Sequence, residues 1–352
     1  MIMLKNGIVR IILTTYFGII VTIDIISWII YVLLLIFLIK NRINNDKIIS
    51  KEFFTLYIFN GILDIIFVIE EYVNFRIPQF GLFDNFYTNI LAYSFAAGVC
   101  YTYSLCQVII ISLSGITLTF NRYFAIKFPV KYKEFWSGWR LFILTIWPIG
   151  IVLPIFIIFH DSKVNFISDP NTGRLTQNFV NAHVNNAIWS ITISIHIFSL
   201  ITNGILNLCV VKTIKKEFGR NRISTMNNNN NNNSDKGADI AMAKYAFMHF
   251  LLFGVVAVLE TSIVFAFKFD LDSLAFDGLT VFVLAETIMV FFSPYALLIL
   301  SKDIRIRFLV FCGLNKVNKI FNNLFSNNQH NLSQGSIRQT NIGIQPQYGN
   351  LI

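Results

Sequence analysis

The sequence predicts an all-α membrane protein, a bundle of seven membrane-spanning helices, and three observations carry that prediction. First, 55% of the residues are hydrophobic and only 13% are charged, against about 25% charged in soluble domains. Second, the 36 phenylalanines of the 352-residue chain are more than a soluble core of this size hides, so lipid is the solvent for much of the surface. Third, seven apolar stretches reach the ~20 residues that a helix needs to cross a bilayer.

The first span is Phe17–Ile39. It is too long for the core of a signal peptide, and no small-residue cleavage site follows it, so it reads as retained. Residues 1–16 then form an extracellular amino-terminal segment. The second span is Phe53–Val73. The third, Ala92–Phe124, is the longest and should tilt strongly or project beyond the hydrocarbon. The fourth, Trp139–Phe159, carries two prolines. The fifth is Ala187–Val211. The sixth, Lys244–Phe267, has no proline, and the seventh, Gly278–Leu300, contains Pro294. Beyond the seventh span "SKDIRIRFLVFCGL" sets charges against Ile306, Phe308, Leu309 and Phe311, the pattern of a short amphipathic helix lying on a membrane surface. The bundle with this surface helix covers residues 17–311. Between spans five and six, "MNNNNNNNSDKG" (Met226–Gly237) cannot build a packed core, and residues near 224–238 read as disordered. The polar tail, 312–352, reads the same way.

Charge orients the array. With the amino terminus outside, 22 of the 28 Lys and Arg residues fall in the loops after spans one, three and five and in the tail. Only Lys5, Arg10, Arg76, Lys163, Arg174 and Lys268 lie on the other side, and none falls deep within a span. Cytoplasmic loops collect positive residues, so the amino terminus is placed outside and the carboxyl terminus inside. The net charge of +9 is thereby explained by topology and by contact with anionic lipid, and calls for no nucleic acid. Four cysteines, at 100, 106, 209 and 312, are too scattered for a disulfide framework and form no CxxC pair for zinc. No HExxH, GxSxG, P-loop or glycine fingerprint is present. The sequence points to no enzyme, no metal and no cofactor.

Four stretches carry a resemblance. They are "SKEFFTLYIFNGILDII" (Ser50–Ile66), "LTFNRYFAIKFPVKYKEFW" (Leu118–Trp136), "WPIGIVLPIFIIF" (Trp147–Phe159) and "FFSPYALLILSKDIRIRF" (Phe291–Phe308). In their order among seven helices they resemble G-protein-coupled receptors, and more narrowly the nematode serpentine chemoreceptors of the class gamma group and its close relatives. The resemblance implies a chemosensory receptor of the plasma membrane, multi-pass, in the cilia of sensory neurons. Such a receptor binds a small extracellular ligand within the bundle and activates a heterotrimeric G protein. It also implies that Asn121, Arg122 and Tyr123, at the place of the Asp-Arg-Tyr triplet, take part in coupling. The alternative for Arg122 is a snorkelling anchor. Asn121 cannot form an ion pair with Arg122, so the lock is weaker than an ionic one or has another partner.

Pro294 and Tyr295 stand near the family's Asn-Pro-x-x-Tyr element, with Tyr directly after Pro. They form a candidate hinge, or else a static kink. Cys312 is a palmitoylation candidate. Asp64 matches the place of a sodium-binding Asp, but reads first as a structural, hydrogen-bonded acid. The disulfide usual between the third span and the second outer loop has no cysteine in His160–Asn186 to form it.

Carboxylates in lipid are costly and face the bundle interior. Asp24, Glu70, Glu71, Glu260 and Glu286 all fall in the outer halves of their spans. Glu70 and Glu71 read as markers of the lipid–water interface, and Glu260 and Glu286 as pocket-facing. If these acids converge, they line a cavity that favours cationic or hydrogen-bond-donating ligands. Tyr101, Gln107 and His196 join Glu260 and Glu286 as candidate ligand residues. The rival reading is a ligand-gated channel subunit or a transporter. The lack of an internal repeat counts against a transporter built from duplicated halves.

Overall fold

The computed structural model describes residues 2–44, 51–168, 173–224, 233–269 and 271–314. In chain order the elements are α1 (Ile2–Ile43), α2 (Lys51–Glu71), a π-helical turn (Tyr72–Arg76), α3 (Ile77–Gln79), a second π-helical turn (Phe86–Leu91), α4 (Phe95–Lys127), α5 (Pro129–Phe135), α6 (Gly138–Phe159), β1 (Val164–Ser168), β2 (Leu175–Phe179), α7 (Ala182–Ser224), α8 (Asn233–Lys268), α9 (Asp272–Leu300) and α10 (Lys302–Phe311). Among the described residues seven helices are long and apolar enough to span a membrane: α1, α2 continued through α3, α4, α6, α7, α8 and α9. They are the first to seventh spans.

The residue pattern is that of a protein turned inside out. Ile19, Ile23, Ile26, Ile29 and Leu33 on the first span are exposed, as are Ile201, Ile205 and Leu208 on the fifth. These positions recur at three to four residues, one helix face each. The polar side chains face inward instead. Ser199 Oγ donates to the Ser112 carbonyl at 2.8 Å, and Trp147 Nε1 donates to Thr117 Oγ1 at 2.7 Å. These bonds tie spans five and four to span three. Interhelical hydrogen bonds and close packing hold such a bundle, because lipid gives no hydrophobic force between helices. The third span is the most buried of the seven and the fourth the least.

Local chemistry sets the ends of the third span. Ser94 caps it, its Oγ accepting from the Ala97 N–H at 3.2 Å. Pro129 cannot continue it and opens α5 instead. Near its start the third span passes very close to the segment after span four. A Cβ on Gly98 would sit 2.5 Å from the Ser162 carbonyl oxygen, so only glycine fits there without movement.

Three boundaries differ from those expected from the sequence. The second span runs on to Gln79, because the π turn at Tyr72–Arg76 re-aims the residues after it and buries Asn74, Arg76 and Gln79. Arg76, expected outside the spans, is therefore interior. The stretch near 224–238 is helical at Ser224 and again from Asn233, while 225–232 lie outside the described residues. The first helix begins at Ile2, within the segment read as extramembranous. A short hairpin between the fourth and fifth spans joins the helices. β1 and β2 pair antiparallel, Val164 opposite Phe179 and Ser168 opposite Leu175.

Residues Lys302–Phe311 belong to a second unit. In α10, Ile304 and Phe308 are one turn apart and buried, whereas Lys302, Asp303 and Arg307 are exposed. The helix is amphipathic, but its buried face is Ile304 and Phe308, while Phe311 of the expected apolar set is exposed. Cys312 follows it, half-buried, and burial pushes its thiol pKa up. The tail from 315 lies outside the described residues.

Candidate functional site

The hairpin closes one end of the bundle, and beneath it lies a cavity of about 840 Å³. Its walls come from spans two, three, five, six and seven and from the hairpin. Most of the wall is apolar, with Phe67, Leu105, Ile263, Phe276 and Phe282 among the contributors. Into it project four carboxylates: Glu70, Glu71, Glu260 and Glu286. Four of the five acids expected to converge line it, and Asp24 does not. The reading of Glu70 and Glu71 as interface markers does not hold, since both line the cavity.

Each acid has its own surroundings. Glu70 Oε1 accepts from Asn74 Nδ2 and from Ser104 Oγ, both neutral donors. Glu71 takes a bidentate pair from Arg76, Nε to Oε1 at 2.8 Å and Nη2 to Oε2 at 2.8 Å. Arg76 Nη1 also donates to Asp24 Oδ2 on the first span, which accepts a further bond from Tyr72 OH at 2.7 Å. Arg76 is 2% exposed and Asp24 1%. A buried charge lacking its partner costs several kcal/mol, so this triad holds the first and second spans together. Glu286 sits against Glu71 from the seventh span. Glu260 Oε2 lies 2.7 Å from His196 Nδ1.

Of the predicted ligand residues, Tyr101, Glu260 and Glu286 line the cavity. His196 does not line it and reaches it only through Glu260. Gln107 is wholly buried elsewhere, and its Nε2 donates to the Leu63 carbonyl at 2.6 Å. The sequence reads Glu70 and Glu71 first as interface markers and Arg76 as an outer-loop cation, and it does not single out Gln177. The segment "EEYVNFR" held a readable signal, an Arg one turn beyond two acids. Gln177 had none.

The hairpin is held without a disulfide, and all four cysteines are free. Arg174 Nη1 donates to the Phe276 carbonyl at 3.1 Å and to Thr280 Oγ1 on the seventh span. Gln177 Nε2 donates to the Asn74 carbonyl. The Phe179 ring packs on Tyr101, centroids 4.8 Å apart.

The other end of the third span carries Asn121, Arg122 and Tyr123. Asn121 is fully buried and bonds to Tyr132 of α5, Nδ2 to OH at 3.1 Å. It does not hold Arg122. The Arg122 guanidinium instead lies over the Phe53 ring of the second span, 3.8 Å from its centroid. Tyr123 is turned away and accepts from Lys127, one turn on.

Deeper in the bundle Asp64 accepts from Tyr31 OH at 2.6 Å. It lines a small void with Asn60, Ser114, Tyr245 and Ser293, which suits the structural reading. Tyr295 OH bonds to Ser27 at 2.9 Å, and α9 is continuous through Pro294. Among the described residues no group of His, Cys, Asp or Glu is placed to hold a metal ion.

Compared with known proteins, residues 19–313 match the family described as serpentine type 7TM GPCR chemoreceptor Srv. No curated protein matches the chain.

Proposed function

Because this chain belongs to the Srv family of serpentine seven-transmembrane chemoreceptors, we propose that it binds a small extracellular ligand in the cavity under the hairpin and thereby activates a heterotrimeric G protein. It is a multi-pass membrane protein of a receptor family, not of an enzyme family. In this reading the hairpin faces the outside of the cell at the plasma membrane, and Arg122 faces the cytoplasm.

One observation carries the proposal. The same helix, α4, lines the cavity through Tyr101, Ser104 and Leu105 and carries Arg122 in its last turns. A ligand that binds one arrangement of the bundle better than another shifts the population toward it. The third span is packed on most of the others, so such a shift is felt at both of its ends. Arg122 would leave the Phe53 ring and meet the G protein.

The test is nucleotide exchange on a purified heterotrimeric G protein, with the full-length receptor in lipid nanodiscs. Arg122→Ala should abolish receptor-dependent exchange while surface expression stays at the wild-type level. Undiminished exchange in that variant would remove Arg122 from coupling.

A further inference from the structure

Buried acceptors of the cavity wall are left without donors, and this identifies the chemistry of what fills it. Four buried oxygen atoms of its lining residues have no nitrogen or hydroxyl donor within reach: Glu70 Oε2, Gln177 Oε1, Asn185 Oδ1 and Glu286 Oε2. Among the described residues no buried donor on the lining is left over in the same way. Two of the donors nearest the acids and the hairpin are already committed. Ser104 gives its proton to Glu70, and Gln177 Nε2 donates to the Asn74 carbonyl, which leaves the Gln177 side-chain oxygen free. Each orphaned acceptor carries a desolvation cost that a donor from a ligand would relieve.

Charge points the same way. Arg76 is shared between Asp24 and Glu71, and His196 faces Glu260. Neither Glu70 nor Glu286 has a cation of its own. Lys268, the one lysine on the lining, is exposed at the rim. Glu286 is 3% exposed, so solvent does not do the work of a counter-ion.

We propose that the cavity is a site for a small protonated amine with an apolar body. Glu286 and Glu70 pair with the ammonium group, Gln177 accepts one of its N–H bonds, and Phe67, Phe276 and Phe282 enclose the body. This deepens the receptor reading and rests on it for the place of binding. Carboxylate ligands are excluded by the same arrangement, since they would bring a further acceptor and a like charge.

The experiment uses the full-length receptor in lipid nanodiscs and trios of probes that differ only in head group. One trio is phenethylamine, 2-phenylethanol and 3-phenylpropanoate; another is butylamine, butanol and pentanoate. Thermal stabilisation is measured against concentration. Within a trio the amine should bind about tenfold or more tightly than the alcohol, the scale of one charged hydrogen bond, and the carboxylate should not bind. Glu286→Gln should reduce amine and alcohol to similar affinity. If that variant does not fold, Glu70→Gln and Gln177→Leu must each lower the amine's advantage. An alcohol or carboxylate that matches the amine overturns the proposal, as do amines that fail in every trio and an advantage that survives all three variants. Nucleotide exchange in the same discs separates the two readings. Amine binding with no exchange keeps this site and rejects G-protein coupling, whereas exchange driven by a carboxylate does the reverse.

Discussion

At the scale of a single residue, Arg122 shows an aromatic ring serving as one contact of a buried cation. Asn121 has no charge to offer and is occupied with Tyr132. The face of Phe53, itself 0% exposed, is one surface on which the guanidinium rests. A cation over an aromatic ring is worth about 0.5–2 kcal/mol depending on desolvation, so removing the ring shifts an equilibrium about twofold to thirtyfold. Phe53→Leu should therefore raise basal nucleotide exchange within that range, while Phe53→Tyr, which keeps the ring, should leave it near wild type. Equal basal rates in the leucine and wild-type receptors would reduce Phe53 to packing. The triplet's position was readable from the order of the motifs. The contact of Arg122 with Phe53 was not, because Phe53 lies 69 residues earlier and an aromatic at the start of a span looks like ordinary apolar sequence.

At the scale of elements, the hairpin and the second span show where periodicity stops being informative. Seven apolar runs announce seven helices, since length and composition alone decide whether a segment can sit in lipid. They say nothing of a π turn, which depends on how the helix meets its neighbours, so Arg76 was assigned to a loop. Strands of five residues in a loop with no disulfide leave an equally faint trace. Their stability comes from pins that are distant in sequence, and chief among these is Arg174. Its guanidinium is 6% exposed overall and bonds to the Phe276 carbonyl and Thr280 of the seventh span. Charged hydrogen bonds of this kind contribute about 1.5–3 kcal/mol each. Arg174→Ala should raise amide hydrogen exchange over Val164–Ser168 and Leu175–Phe179 by about tenfold or more, without changing exchange in the third span. Protection unchanged from wild type would mean that Val164, Phe166, Leu175 and Phe179 hold the hairpin by apolar packing alone. A cavity roof fixed by polar contacts can open reversibly, which a covalent bridge would limit.

The orientation of the whole molecule decides which end is sensor and which is effector. The bundle by itself is indifferent, because its apolar belt would sit equally well either way up. Free cations break the symmetry. Of the six basic residues on the hairpin side, Arg76 and Arg174 are buried and bound to protein partners. On the Arg122 side Lys127, Lys131, Lys133, Arg140, Lys212, Lys215 and Lys216 stand in or beside the connections, and most are exposed. The bias toward the Arg122 side is therefore larger than a bare count suggests, and positive loops stay in the cytoplasm. Epitope tags at the two ends test this without any ligand. The amino-terminal tag should bind antibody on intact cells, and the carboxyl-terminal tag only after permeabilisation. The reverse result would put the hairpin and its acid-lined cavity in the cytoplasm and Arg122 outside. No extracellular ligand could then reach the cavity from its mouth, the coupling role of Arg122 would fall, and electrical recording from the reconstituted protein would become the next experiment, as for a channel.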